Sequence, residues 1–128
     1  MSNKLNTDKT LIKFKAMKAT IMKKITNHSV NYFQDVVFDT QGAAIGSRWK
    51  QSERAKKDGG KTLQKTGKGK RSIDGKIRGD RSRIAPRVDY MRYHQTGAGN
   101  NPVRQFMGNS ARLLKENKRI INKELAKL

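Results

Sequence analysis

Residues 46–72 constrain the fold more than any other part of the chain, because they offer almost no side chain from which a core could be built. Leu63 is the only leucine, isoleucine, valine or phenylalanine among them, whereas the remaining 101 residues hold 24 of the 25 such side chains. A segment so polar and so charged cannot bury enough apolar surface to order itself. A chain of 128 residues has the length of one domain. The sequence therefore predicts a single domain over residues 1–128, with a long basic loop at 46–71 that is ordered mainly in an assembly.

Residues 46–71 of this stretch, called the basic segment below, carry much of the positive charge. The formal net charge is +20, and residues 46–87 contribute +11 of it. Ten basic residues stand here against two acidic ones: Arg48, Lys50, Arg54, Lys56, Lys57, Lys61, Lys65, Lys68, Lys70 and Arg71. Nucleic acid and acidic protein surfaces are the natural partners of such charge, and an anionic membrane is a weaker third option. These ten side chains are the predicted surface for a partner or for DNA.

A long helix is predicted before the basic segment. Apolar side chains recur every three or four residues, as one face of a helix requires: Leu11, Phe14, Met17, Ile21 and Ile25. Thr7 or Asp8 is a suitable N-cap, and Gly42 ends the pattern. The helix either runs to about Phe38 or breaks near residues 27–29. A core-facing helix is favoured over a membrane-surface or calmodulin-binding one, which can show the same lysine-punctuated stripe.

A β-hairpin is predicted after the basic segment. Residues 72–78 and 81–88 alternate apolar and polar side chains, and a Gly-Asp turn separates the two runs. The alternation places Ile73 and Ile77 on one face and the charges on the other. Pro86 restricts the second strand to an edge of a sheet, or places it at the end of that strand.

The C-terminal part predicts an amphipathic helix. Its apolar stripe begins at Leu113, and Ser110 is a suitable N-cap before it. The order of long helix, basic loop, small antiparallel hairpin, turn and final helix predicts an α+β fold. A two-stranded sheet is thin for an independent fold, so we expect further strands or neighbouring subunits to support it.

Residues 93–106, YHQTGAGNNPVRQF, contain the side chains of an active-site loop without its chemistry. No nucleophile motif accompanies His94, the ten acidic residues are scattered, and the Gly-Lys-Ser/Thr ending of a nucleotide-binding loop is missing. The chain has no cysteine and only two distant histidines, so no catalytic residue, cofactor or metal site is predicted. The stretch predicts a structural corner in which residues 97–102 turn the chain, while Arg104 and Phe106 face one side.

Four side chains have predicted structural roles. Trp49 is interpreted as an anchor packed against the body rather than a base-stacking platform, because strand-binding surfaces usually carry several aromatic residues. His94 and Gln95 are expected to close the exit of the hairpin. The five donors of Arg104 can join several carbonyl groups or an acidic partner.

The order of these landmarks resembles that of a known family. Trp49 is followed by Thr66-Gly67, by Tyr93-His94-Gln95-x-Gly97 and by Pro102-x-Arg104-x-Phe106. With the closing amphipathic helix, this order resembles the tailed-phage virion morphogenesis family, the Mu-like tail-completion or neck proteins. The resemblance runs from about Phe33 to the C terminus. Its most specific part is the His-Gln-x-Gly turn followed closely by Pro-x-Arg-x-Phe.

The resemblance implies a non-enzymatic structural protein of the head–tail junction. Such a protein is made in the host cytoplasm, becomes part of the virion, and forms a homo-oligomeric ring, expected to be a hexamer, with no membrane contact. The ring would join connector or portal-side proteins to the tail. Double-stranded DNA passes through its lumen, so the basic segment would face DNA phosphates or, as we favour, acidic connector surfaces.

A general nucleic-acid-binding protein, associated with ribosomes or the nucleoid, is the alternative interpretation. The net charge fits both classes equally well. The corner at residues 93–106 favours the phage protein, because a basic nucleic-acid binder has no evident need for it.

Overall fold

The computed structural model describes residues 2–64, 66–97 and 102–127 of the chain, and the side chains from residue 8 onward. Its helices and strands follow the predicted order, and the α+β class is confirmed. They are α1 (Ser2–Asn31), a π-helical turn (Tyr32–Val37), α2 (Glu53–Asp58), α3 (Lys68–Arg71), β1 (Ile73–Arg78), β2 (Arg81–Pro86), α4 (Met91–Thr96) and α5 (Ala111–Leu125).

The N-terminal helix is longer than predicted at its start. It begins at Ser2, so the predicted N-cap at Thr7 or Asp8 is wrong. These residues cost only a fraction of 1 kcal/mol inside a helix, about 0.7 at most, and the cooperative extension of a long helix outweighs that cost. The predicted break near residues 27–29 does not occur, and the helical path continues to Asp39.

The helix ends through a π-helical turn that changes which side chains face inward. Tyr32, Phe33, Val37 and Phe38 are all buried. Residues five apart lie on the same side of a π-helix, and these four side chains form two such pairs. Gly42 then ends the helical path as predicted, with φ +86° and its N–H donating to the Val37 carbonyl at 2.8 Å.

The core is an aromatic cluster that joins distant parts of the chain. The Phe38 ring meets the Trp49 ring edge-on at 5.1 Å between centroids, and the Phe106 ring lies 6.5 Å from Phe38. Ile73 and Met91 extend the same buried cluster from the hairpin and from α4. The predicted anchoring role of Trp49 is confirmed by its burial within this cluster.

Short helices occupy part of the basic segment, where the sequence predicts a loop. The Ser52 side chain caps α2 by accepting from the Ala55 N–H at 3.2 Å, and Gly59 ends it in the left-handed conformation. Ala55, Thr62 and Gly69 are buried. The prediction of a loop is wrong at these two helices, because helix caps and small buried residues do not alter the apolar composition of a segment.

The hairpin has the predicted two-residue turn and packs one face on α1. Ile73 pairs with Pro86 and Arg78 with Arg81, and Gly79 adopts φ +58° in the turn. Pro86 is the last residue of its strand, as predicted. Ile73 is 1% exposed, whereas Ile77 on the same face is 41% exposed, so only the proximal half of this face is covered.

The final helix, α5, packs on α1 through polar as well as apolar contacts. Ser110 caps it as predicted, accepting from the Leu113 N–H at 3.2 Å. Glu124 is buried and forms ion pairs with Lys24 of α1 and Lys127. The hydrogen bond from Lys24, and then that from Lys127, lowers the pKa of the Glu124 carboxyl. The contact between the two long helices is therefore partly ionic.

We expect Gly42→Ala to destabilise the protein strongly. A Cβ at this position would overlap the Trp49 indole, and the backbone is left-handed. Backbone strain and overpacking together predict a loss of about 2–5 kcal/mol in the free energy of unfolding. Gly59→Ala is the matched control, because Gly59 has φ +71° but open space at its Cβ position. Urea denaturation of both variants measures the difference, and equal losses would show that the contact with Trp49 does not matter.

Candidate functional site

The predicted corner is built around helix α4. Tyr93, His94 and Gln95 lie on this helix, which ends where the predicted turn at residues 97–102 begins. Gly97 ends α4 with φ +76°, and its N–H donates to the Tyr93 carbonyl at 2.8 Å. Residues 98–101 of the predicted turn lie outside the described residues. The chain returns at Pro102, whose side chain is exposed.

The Gln95 amide holds the returning chain. Its Oε1 accepts from the N–H groups of Phe106 at 3.0 Å and Met107 at 3.2 Å. Its Nε2 donates to the Met107 carbonyl at 2.7 Å. One side chain thus satisfies three backbone groups, much as a neighbouring strand would. The sequence singled out Gln95, but it did not predict which backbone it would hold.

Two hydrogen bonds in opposite directions join the corner to the start of the basic segment. The Arg104 Nε donates to the Lys50 carbonyl at 2.9 Å, and the Trp49 Nε1 donates to the Gln105 carbonyl at 2.8 Å. The backbone N–H of Arg104 also donates to the His94 carbonyl. Arg104 and Phe106 are both buried while Gln105 between them is exposed, which confirms the predicted alternation.

His94 lies at a pocket that two other landmarks of the sequence, Thr66 and Arg104, also line. The pocket has a volume of about 270 Å³, and Thr66, Lys68, His94 and Arg104 are among its lining residues. The His94 Nδ1 is buried and has no hydrogen-bond partner among the residues that the structure describes. Burial, and then the Arg104 charge, lowers the pKa of His94. The imidazole is therefore held mainly in its neutral form near neutral pH.

Thr66 and Gly67 immediately precede helix α3, and Gly67 is its N-cap. The Thr66 hydroxyl accepts from the Lys68 N–H at 3.2 Å, and Gly67 has φ +73°. The Arg71 guanidinium donates to the Thr66 carbonyl at 3.0 Å and lies against Gly67. Arg71 thus stabilises its own helix, although the sequence places it among the partner-facing residues.

The structure divides the predicted contact residues of the basic segment into two groups. Arg54 pairs with Asp58 at 2.9 Å, Lys56 with Glu53 at 3.3 Å, and Lys70 with Asp35 at 3.8 Å. A second group is exposed and has no ion pair within the described parts of the chain: Arg48, Lys50, Lys57, Lys61 and Lys68. Lys65 lies outside the described residues. Part of the predicted surface is therefore already neutralised by the protein itself.

Two further findings concern ligands and membranes. Within residues 2–64, 66–97 and 102–127, no group of three or more histidine, aspartate or glutamate side chains is placed to hold a metal ion. Of the helices described there, none has the length and apolar character needed to cross a bilayer.

Comparison of the chain with models of known protein families, with curated proteins and with solved structures finds no match.

We expect Arg104→Ala to destabilise the subunit. Removing the guanidinium leaves the Lys50 carbonyl without its donor, at a cost of about 1–3 kcal/mol in the free energy of unfolding. Arg48→Ala removes an exposed arginine from the same region and is expected to change stability by less than about 0.5 kcal/mol. Chemical denaturation compares the two variants with the wild type. Similar stabilities for both variants would show that Arg104 has no anchoring role.

We also expect His94 to make stability depend on pH. The pKa of His94 is lowered in the folded protein, so neutral His94 contributes to the free energy of unfolding. This contribution is complete when the pH is above about 6.5, the pKa of histidine in the unfolded chain, and it is lost as the pH falls below that pKa. His94→Gln removes this term, so its free energy of unfolding should fall less than that of the wild type between about pH 7.5 and about pH 5. Identical pH profiles for the two proteins would contradict the expectation.

Proposed function

We propose that this chain is a structural subunit of the head–tail junction of a tailed phage, a tail-completion or neck protein that assembles into a ring and catalyses no reaction. One structural observation supports the proposal in addition to the order of the sequence motifs. The apolar stripe of α1 continues toward the N terminus to positions where its large side chains are about half exposed.

The stripe changes from buried to exposed along one helix. Met22 and Ile25 are partly buried where α1 packs on the body, whereas Leu11 and Phe14 are 49% and 51% exposed. With about 3.6 residues per turn, these four side chains lie within one face of the helix. Every residue at positions 8–16 is exposed. The first part of α1 therefore projects from the body as an arm.

A second copy of the chain is the occupant that we propose for this arm. Leu11, Ile12 and Phe14 place three large apolar side chains within a single helical turn, which is unusual for a surface that stays in water. In a ring, each subunit offers one surface to the next and receives the complementary surface from the previous one. An arm that reaches past its own body is suited to such head-to-tail contacts.

The corner supports a scaffold role for the motif residues. Trp49, Gln95, Arg104 and Phe106 hold backbone groups or fill the core, and each is placed by contacts within the chain. A ring subunit needs a rigid body of this kind. We further propose that exposed cations of the basic segment, such as Lys57 and Lys61, meet acidic surfaces of the connector.

We expect the double variant Leu11→Gln with Phe14→Gln to remain folded but to lose self-assembly. Both side chains are half exposed in the single subunit, so their replacement removes more contact from the ring than from the core. Light scattering coupled to size-exclusion chromatography gives the mass of each protein, and electron microscopy shows whether rings form. The wild type is expected to form closed rings, with six subunits, and the variant to be monomeric.

The matched control is Lys9→Gln with Lys13→Gln, which changes two exposed positions on the opposite side of the same arm. It is expected to assemble as the wild type does. A wild-type protein that stays monomeric at its highest soluble concentration would contradict the ring, and so would assembly of the Leu11 and Phe14 variant. Neighbouring genes give an independent test: capsid, portal and tail genes support the proposal, whereas ribosomal genes contradict it.

A further inference from the structure

The β-hairpin has two faces of opposite character, and its register determines which charges stand together. Directly opposed residues of an antiparallel pair point to the same side of the sheet. Lys76 is directly opposed to Arg83, and Arg78 to Arg81. Since side chains alternate along a strand, all four lie on one face. We call this the basic face of the hairpin: Lys76, Arg78, Arg81 and Arg83.

The opposite face is fixed against the body. A side chain at Gly75 would run into Thr26 and Val30 of α1, so the strand approaches the helix closely. The hydroxyls of Thr26 and Ser82 are hydrogen-bonded at 2.7 Å. These contacts leave the hairpin one orientation, with its basic face directed into solvent.

The like charges of the basic face lower the stability of the isolated protein. Like charges placed directly opposite each other destabilise an antiparallel pair, and the hairpin has two such pairs in succession. All four side chains are exposed, and none forms an ion pair with another described residue. This differs from the basic segment, where acidic neighbours neutralise several of the cations. An external polyanion would relieve the repulsion.

The surroundings of the basic face extend the positive surface. Arg87 follows β2 and is exposed, and with Lys76 and Arg83 it borders a pocket of about 340 Å³. Asp74 also lines this pocket, and its Oδ1 accepts from the Gly75 N–H at 2.9 Å. Three of the four cations of the basic face are arginines, whose planar groups match phosphate oxygens in pairs.

We propose that the basic face of the hairpin binds the phosphate backbone of double-stranded DNA without regard to sequence. The Cβ atoms of its four residues stand about 5 Å apart across the strands, and their Cα atoms about 7 Å apart along each strand. A two-stranded ribbon fits the major groove of B-form DNA, which is about 12 Å wide, whereas that of duplex RNA is too deep and narrow. The hairpin has no aromatic residue on which unpaired bases could stack. The inference does not depend on ring formation.

The test replaces all four cations of the basic face by glutamine in the full chain. Fluorescence anisotropy with a labelled DNA duplex measures the affinity at several salt concentrations. The variant is expected to bind at least about tenfold more weakly than the control below, with a salt slope reduced by about 3 to 4. Its melting temperature is expected to equal or exceed that of the wild type, because the opposed like charges are gone.

The matched control removes four exposed cations of α5 and lowers the net charge equally: Lys115→Gln, Lys118→Gln, Arg119→Gln and Lys123→Gln. Equal weakening in the two variants would overturn the proposal, as would equal or tighter binding of single-stranded DNA or duplex RNA of the same length. If the fourfold variant melts early, the pair Arg78→Gln with Arg81→Gln replaces it, and unchanged affinity in that pair overturns the proposal.

Ring formation is measured on the same proteins by light scattering, so the two proposals fail separately. Weak DNA binding by an assembled wild type would overturn the inference on the basic face alone. Tight DNA binding by a wild type that stays monomeric would overturn only the ring.

Discussion

The reciprocal hydrogen bonds between Trp49 and Gln105 and between Arg104 and Lys50 are the constraint on which the rest of the structure depends. They join a segment that has almost no apolar side chains to a corner that follows helix α4. The Trp49 ring then enters the cluster at Phe38, where the long helix ends. Three parts of the chain, far apart in sequence, thus meet at one point. At this point one aromatic ring and two polar contacts join the polar segment to the body.

Much of the fold could be predicted from the sequence wherever the signal is local. The Gly-Asp turn fixed the hairpin, Ser110 marked the start of α5, and the alternation around Gln105 placed its two neighbours inside. The anchoring of Trp49 followed from its isolation in a polar setting. Each of these signals depends on a few neighbouring residues, and in each case no tertiary contact competes with it.

The remaining features depend on contacts that composition and periodicity do not register. Helix α2 depends on the Ser52 cap, the clamp at Gln95 on a backbone eleven residues away, and the early start of α1 on cooperative extension of a long helix. Similarly, the sequence places the hairpin charges on one face, but only the register shows that they oppose each other in like pairs. The split of the basic segment into paired and exposed cations also needs the positions of its acidic residues in space.

The π-helical turn at Tyr32–Val37 has a consequence for the direction of the arm. A π turn adds about one residue to a helix without adding a turn, and one residue corresponds to about 100° of rotation. It therefore sets the angular offset between the aromatic side chains that enter the core and the stripe that leaves the body. Deletion of a single residue in the π turn would rotate the first part of α1 by about 100° relative to the core, and its apolar stripe would then face another side of the molecule.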